Sequence, residues 1–224
     1  IYLSRQGEVA LENVDVNKIQ AASPDNGQIA DHVIGKADSK VMLIEYADFQ
    51  CPGCASAAPT LKALSEKYKD KMSFVFRNRM MSYHPNARAA ASFAEAAGLQ
   101  GKYYEMHDKL FETQQAWEGL SGQQRTDFFS NLITQVGGNA ELALSQIESE
   151  DIAKKLSYDS ALSDKHGVTG TPSIFLNGKL VSDVYVKDGA IVQKGTEGAQ
   201  LVWTDQEAFE TLLIQPALKE AGIE

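Results

Sequence analysis

Cysteine is scarce in this sequence: two residues, Cys51 and Cys54, in a chain of 224. So long a chain with one cysteine pair has no disulfide scaffold, and a bridge between them closes too short a loop to restrict the unfolded chain much. Positive charge is also short. With 21 Lys and Arg against 30 Asp and Glu, the formal charge is −9. No basic stripe is available for a phosphate backbone, which argues against nucleic acid as a partner. No stretch approaches the roughly 18 consecutive apolar residues of a membrane span. Internal repeats and low-complexity runs are lacking. The four histidines, His32, His84, His107 and His166, are scattered without paired spacing. A metal site, which takes about four ligands, is therefore not expected.

What is present describes an ordinary globular chain, with 43% hydrophobic and 23% charged residues. It opens at Ile1 rather than Met, which suits a mature or truncated form whose targeting segment lies upstream. Residues 1–40 are mixed and polar, with Pro24 and Asn26-Gly27 as turn chemistry, and read as an N-terminal extension or tether. Within them "EVALENVDV" has some strand character. "VMLIEYA" (41–47) has the near-continuous apolar run of a strand buried on both faces. Pro52 then suits a first helical turn, and Ala55, Ala58, Leu61, Leu64 and Tyr68 recur at helical intervals. "MSFVFRN" (72–78) predicts a second strand.

From Pro85 to Val168 the pattern is helix after helix. Ser121 and Gln124 have capping-box spacing, and Gly137-Gly138 stops that helix. "TPSIFLNGKLV" (171–181) predicts a hairpin turning at Asn177-Gly178. Residues 182–203 read as a further ribbon, and Thr204 with Glu207 predicts the cap of a last helix. The order implies an α/β fold. Its first part (41–84) and second part (169–224) make a small mixed sheet, interrupted by a helical insertion over 85–168.

Cys51 and Cys54 lie at a strand-to-helix junction. A cysteine at a helix N-terminus meets unpaired N–H groups and the positive end of the dipole, which favour thiolate over thiol. Cys54 sits one turn deeper, placed to attack a mixed disulfide on Cys51 or to close the pair. This makes Cys51 the exposed nucleophile and Cys54 the buried resolving thiol. Two inert structural thiols are the alternative. Glu45 interrupts the apolar strand on the face of Val41, Leu43 and Ala47. If buried, its pKa rises by desolvation, and it is placed to exchange a proton with Cys54. If the sheet ends early, it is solvated. Thr171-Pro172 precedes a strand; taken alone, X–Pro statistics favour a trans bond there. His84 reads as a residue ahead of a helix start, Met80 and Met81 as core packing, and Trp117 and Trp203 likewise.

"LIEYADFQCPGC", "HPNARAAASFAEAAG" and "GVTGTPSIFLNG" together resemble the DsbA-like thiol-disulfide oxidoreductases, in the branch of Gram-positive and actinobacterial lineages. The resemblance implies a thioredoxin fold with an inserted helical domain. It implies Cys51 and Cys54 as the active pair, Pro52 and Gly53 as the dipeptide tuning their potential, and Glu45 as the buried acid. It also implies a cis Thr171-Pro172 turn beside the cysteines, where the backbone of Thr171 pairs with substrate. Many strong oxidants of this family have histidine where Gly53 stands, so a less depressed Cys51 pKa is expected here. The activity implied is an extracytoplasmic oxidase of reduced, unfolded proteins. It would be monomeric, without bound cofactor, and recharged by a membrane partner of the DsbB or VKOR type. The rivals are an isomerase or reductase on the same scaffold and a non-catalytic peptide-binding module. The ribbon over 182–203 has no place in the common thioredoxin plan.

Overall fold

A computed structural model describes residues 11–223. The central sheet has five strands in the order β1-β3-β2-β4-β5. They are β1 (His32–Gly35), β2 (Met42–Ala47), β3 (Ser73–Asn78), β4 (Ser173–Leu176) and β5 (Lys179–Leu180). β2 and β3 run parallel, joined through helix α1 (Pro52–Tyr68); β1 lies antiparallel on β3, and β4 antiparallel on β2. Alternation along β2 divides the core in two. Val41 and Leu43 face Ala57, Leu61 and Leu64 of α1, whereas Ile44 and Tyr46 face Tyr158 and Leu162 on the other side.

Between β3 and β4 come α2 (Ala87–Gly98), α3 (Tyr103–Glu112), α4 (Gln114–Trp117), α5 (Gly122–Gln135), α6 (Ala140–Gln146) and α7 (Glu150–Lys165). Their core is alanine-rich along α2, which lets helices approach closely, and Trp117 and Phe129 fill its centre. α5 starts after Ser121, although that side chain makes no capping bond. Ser149 does cap α7, accepting from the Ile152 N–H.

Three expectations need correction. The segment read as an extension is partly core: His32–Gly35 pairs residue for residue with Phe76 to Ser73 as an edge strand. Residues 11–31 are strapped to the sheet by Arg77, whose guanidinium donates to the carbonyls of Val16 and Lys18, both at 2.7 Å. The strand suggested within 8–16 is turn and coil over 11–16, and its first three residues lie outside the described ones. The last helix is capped by Asp205, which accepts from the Ala208 N–H, not by Thr204. It runs through α8 (Gln206–Phe209) and a π turn into α9 (Gln215–Glu220).

Residues 182–203 form a separate sheet in the order β7-β6-β8, with β6 Tyr185–Lys187, β7 Ala190–Val192 and β8 Gln200–Leu201. Val186, Val202 and Trp203 pack it into the apolar cluster of α1 and the C-terminal helix.

Candidate active site

Cys51 is the N-cap of α1 and Pro52 its first residue, so no N–H is wasted where the helix has no partner to offer. The sulfurs are unbridged, as in a reduced pair. Cys51 is 8% exposed and Cys54 fully buried. The nucleophile is thus far less open than a surface thiol, yet only it has any access. Its pKa is lowered to about 5. The first cause is the hydrogen bond from the Cys54 thiol; the Thr171 side chain and the N–H groups of Cys54 and Gly53 add to it against the cost of burial. The Thr171 hydroxyl is buried and is left without a hydrogen-bond partner of ordinary length among the described residues. Cys54 moves the opposite way, pushed well above an ordinary thiol by burial first, then by its bond to Cys51 and the charge of Glu45. One sulfur is therefore an anion at neutral pH and the other a thiol.

Thr171-Pro172 is a cis peptide. The Cys51 sulfur lies 3.4 Å from the Thr171 carbonyl oxygen, to which it donates only in its protonated form. Gly53 also faces this turn: a Cβ on it would lie 3.2 Å from Pro172 Cδ and 3.7 Å from the Cys51 sulfur. The glycine is there for space as well as for its lack of charge. A larger residue must move the proline ring. The depressed Cys51 pKa arises without a neighbouring histidine, through neutral donors converging on the sulfur.

Glu45 lies beneath this turn, 6% exposed, paired across the sheet with Phe76 and Ile174. Its Oε1 is buried without a hydrogen-bond partner among the described residues. Burial, then the charge of Cys51, raises its pKa to about 8. Glu45 in turn raises the proton affinity of Cys54, so the acid is coupled to both sulfurs of the pair.

The residues that brace the turn escaped the sequence reading. Asp48 is fully sequestered, and its carboxylate accepts from the N–H groups of Gln50 (2.8 Å) and Met81 (2.7 Å). His84 Nδ1 lies 2.9 Å from the same carboxylate, so it belongs to the support of the site as well as standing before α2. The Asp48 N–H bonds the Cys54 sulfur. From the insertion, Gln114 donates to the carbonyls of Phe49 (2.7 Å) and Cys51 (3.0 Å), and the Asn86 N–H donates to the Gln50 side chain (2.6 Å). Met80 packs against the cluster that contains both cysteines. The only signal for these ties was the polar pair Asp48 and Gln50 flanking Phe49 in an otherwise apolar approach to Cys51. Their partners lie 30 to 65 positions away.

The family model described as Thioredoxin matches residues 28–190, with the cysteine pair and the cis-proline turn both inside. The chain belongs to the thioredoxin family. Among solved structures it is similar to BdbD from Bacillus subtilis, at 21% identity and a TM-score of 0.62 over 90% of this chain and 98% of that one. Wolbachia pipientis alpha-DsbA1 gives 21% and 0.63 over 85% and 92%. The thiol-disulfide oxidoreductase MdbA from Corynebacterium diphtheriae gives 20% and 0.59 over 74% and 89%. At these identities the likeness is one of fold: the DsbA-like thioredoxin fold with its helical insertion. By sequence the chain is also 33% identical, over 150 residues, to a Na(+)/H(+) antiporter NhaA 3 of Salinispora tropica, covering 66% of this chain and 22% of that protein. A NhaA 1 of Mycolicibacterium vanbaalenii gives 29% over 168 residues, 75% and 26%. The chain spans about a quarter of the length of these curated relatives. Among the described residues no helix is long and apolar enough to cross a membrane.

Proposed function

We propose that the protein is a thiol-disulfide oxidoreductase that introduces disulfides into reduced, unfolded proteins outside the cytoplasm. The observation that carries this reading is the asymmetry of the pair: Cys51 favoured as thiolate and Cys54 sealed as thiol, one helical turn apart. Stabilising the Cys51 thiolate stabilises the reduced protein relative to its disulfide, and that makes the disulfide oxidising.

In the forward reaction a substrate thiolate attacks Cys51 of the Cys51–Cys54 disulfide. The S–S bond breaks, Cys54 leaves with the electron pair, and a substrate–Cys51 mixed disulfide forms. Cys54 takes a proton from neutral Glu45. A second substrate thiolate attacks the substrate sulfur and expels Cys51 as thiolate, so two substrate thiols become a disulfide and the protein is reduced. Cys51 is the better leaving group because its anion is the stabilised one.

The unfolded segment lies extended along the backbone of Thr171, with Pro172 and Gly53 flanking the sulfur, and pairs as an added strand. The protein acts as a monomer without bound cofactor. A membrane oxidant of the DsbB or VKOR type restores its disulfide. An oxidising compartment is where such products persist. Similar structures include a thiol-disulfide exchange protein from Wolbachia pipientis and a thiol-disulfide oxidoreductase from Corynebacterium diphtheriae, which supports the reading.

The test is oxidative refolding of a reduced, disulfide-containing protein by the oxidised wild type beside Cys51→Ser. Wild type is expected to restore activity stoichiometrically while Cys51→Ser gives the uncatalysed rate. Equal yields would end the enzymatic reading in favour of a peptide-binding module.

A further inference from the structure

Two arginines of the helical insertion stand where elementary electrostatics would not put them. Among the described residues Arg77 and Arg79 hold the carboxylates of Asp31 and Asp164, both at 2.7 Å. Arg88 and Arg125 hold none, in a chain whose formal charge is −9. Each also stands at the start of a helix, α2 and α5 respectively, where the positive end of the dipole opposes a cation. Neither helix start has a side-chain cap or an acid in its first turn. By contrast α6 and α7 are capped by Asn139 and Ser149 and carry acids there.

Both arginines line one cavity of about 250 Å³, walled by Ser92 and Phe93 of α2 and by Ile147 and Glu148 of the turn between α6 and α7. Ser92 points to an occupant. It is 7% exposed, its hydroxyl bonds to no described residue, and the cavity is the space it lines. A buried hydroxyl without a partner is costly, and a bound oxygen would satisfy it. Arg125 commits one N–H to the Asn86 side chain at 2.9 Å, which orients its guanidinium and leaves the other donors open. Arg88 is exposed with all its donors open.

The charge and the wall select the ligand. Two guanidiniums against the Glu148 carboxylate leave a single net positive charge, which matches a monoanion. A carboxylate is planar and takes paired N–H donors from a guanidinium. Phe93 and Ile147 give apolar surface that sulfate or phosphate could not use. The volume lies below the roughly 300 Å³ at which pockets for drug-sized ligands begin. We infer that this cavity binds a monocarboxylate with a short apolar body, its carboxylate held by Arg88, Arg125 and Ser92 and its body against Phe93 and Ile147. Such a group occurs alike on a free branched-chain acid and at the C-terminus of a peptide. Binding is non-covalent, and nothing is transferred.

The test is titration of the isotope-labelled protein with isovalerate, followed by NMR of the arginine side-chain Nε–H signals. Loss of a signal in Arg88→Gln and in Arg125→Gln assigns each. Isovalerate is expected to shift both in a saturable way, while isovaleramide, the same body without the charge, shifts neither. Arg88→Gln should weaken binding about tenfold and Ser92→Ala about threefold. Glu148→Gln, which removes the competing carboxylate, should tighten it. Acetyl-alanyl-leucine carries the same end group on a peptide; saturable shifts from either compound support the site, and the tighter one names the source. Equal shifts from isovaleramide, tighter binding of sulfate than of isovalerate, or isovalerate binding unchanged by Arg88→Gln would each overturn the proposal.

Discussion

Two acids are buried on opposite faces of the central sheet, and the fold treats them differently. On the α7 face Asp31 accepts from the guanidinium of Arg77 at 2.7 Å and lies 3.3 Å from the ammonium of Lys155, which also holds Asp159 at 2.7 Å. Burial pushes the Asp31 pKa up, but the charges of Lys155 and Arg77 outweigh it and hold the carboxyl below its ordinary value. On the α1 face, one residue along from Tyr46 on the same strand, Glu45 has no cation and no donor among the described residues, and its pKa rises to about 8. Both sites bear the cost of desolvation. The first offsets it by pairing and becomes a strap that holds residues 11–31 to the sheet. The second leaves it uncompensated, so its proton is free to move at neutral pH. Complete partnership marks structure here, and incomplete partnership marks chemistry.

Breaking the paired side should have the largest effect on folding. Asp31→Ala leaves Arg77 and Lys155 buried with one carboxylate between them. It is expected to destabilise by about 3–5 kcal/mol, read by urea unfolding, while the Cys51 titration stays where it was. A stable Asp31→Ala protein would mean that the two faces are not energetically distinct.

Glu45→Gln tests the other side, with a smaller effect on stability and a clear pH signature. Glu45 titrates at 4.5, the ordinary value for a glutamic acid, in the unfolded chain and at about 8 in the reduced fold. Below pH 4.5 both states hold the proton and the group adds no pH-dependent term. Between 4.5 and about 8 the fold retains a proton that the unfolded chain has released, so the stability it contributes falls as pH rises. Above about 8 the loss levels off. Relative to Glu45→Gln, wild type should lose on the order of a few kcal/mol across that window. The variant should also slow resolution through Cys54 by about 10²-fold with Cys51 alkylation nearly unchanged. A flat stability difference from pH 4.5 to 8 would show that Glu45 is solvated.

Thr171→Val is the finest probe. It keeps the shape of the turn and removes the hydroxyl that contributes to the lowered Cys51 pKa. The thiolate pKa should rise by about one unit, equivalent to about 1.4 kcal/mol, with little change in unfolding. An unmoved titration would assign the stabilisation to Cys54 and the backbone alone.

Much of this was legible in the sequence because it is local. The apolar run to Ala47, Pro52 at the first helical position and the three-residue cysteine spacing give the strand, the helix and the pair without reference to the rest of the chain. Glu45 stood out by breaking a period of two. What could not be read depends on distant partners. β1 is four residues with no amphipathic period, and only the free edge of β3 makes it a strand. Asp48, Gln114 and His84 gain their roles from helices brought to the turn by the insertion. The space that Gly53 leaves for Pro172 joins segments about 120 positions apart. The second sheet was visible as a ribbon, but its burial through Val186, Val202 and Trp203 was not.

The central claim is that one sulfur is held ionised while its neighbour stays a thiol. Ultraviolet titration of the reduced protein, with Cys51→Ser as the blank, measures this directly. A single thiolate with a midpoint near pH 5 is the result expected. A midpoint close to 9, the ordinary value for a cysteine here, would contradict it.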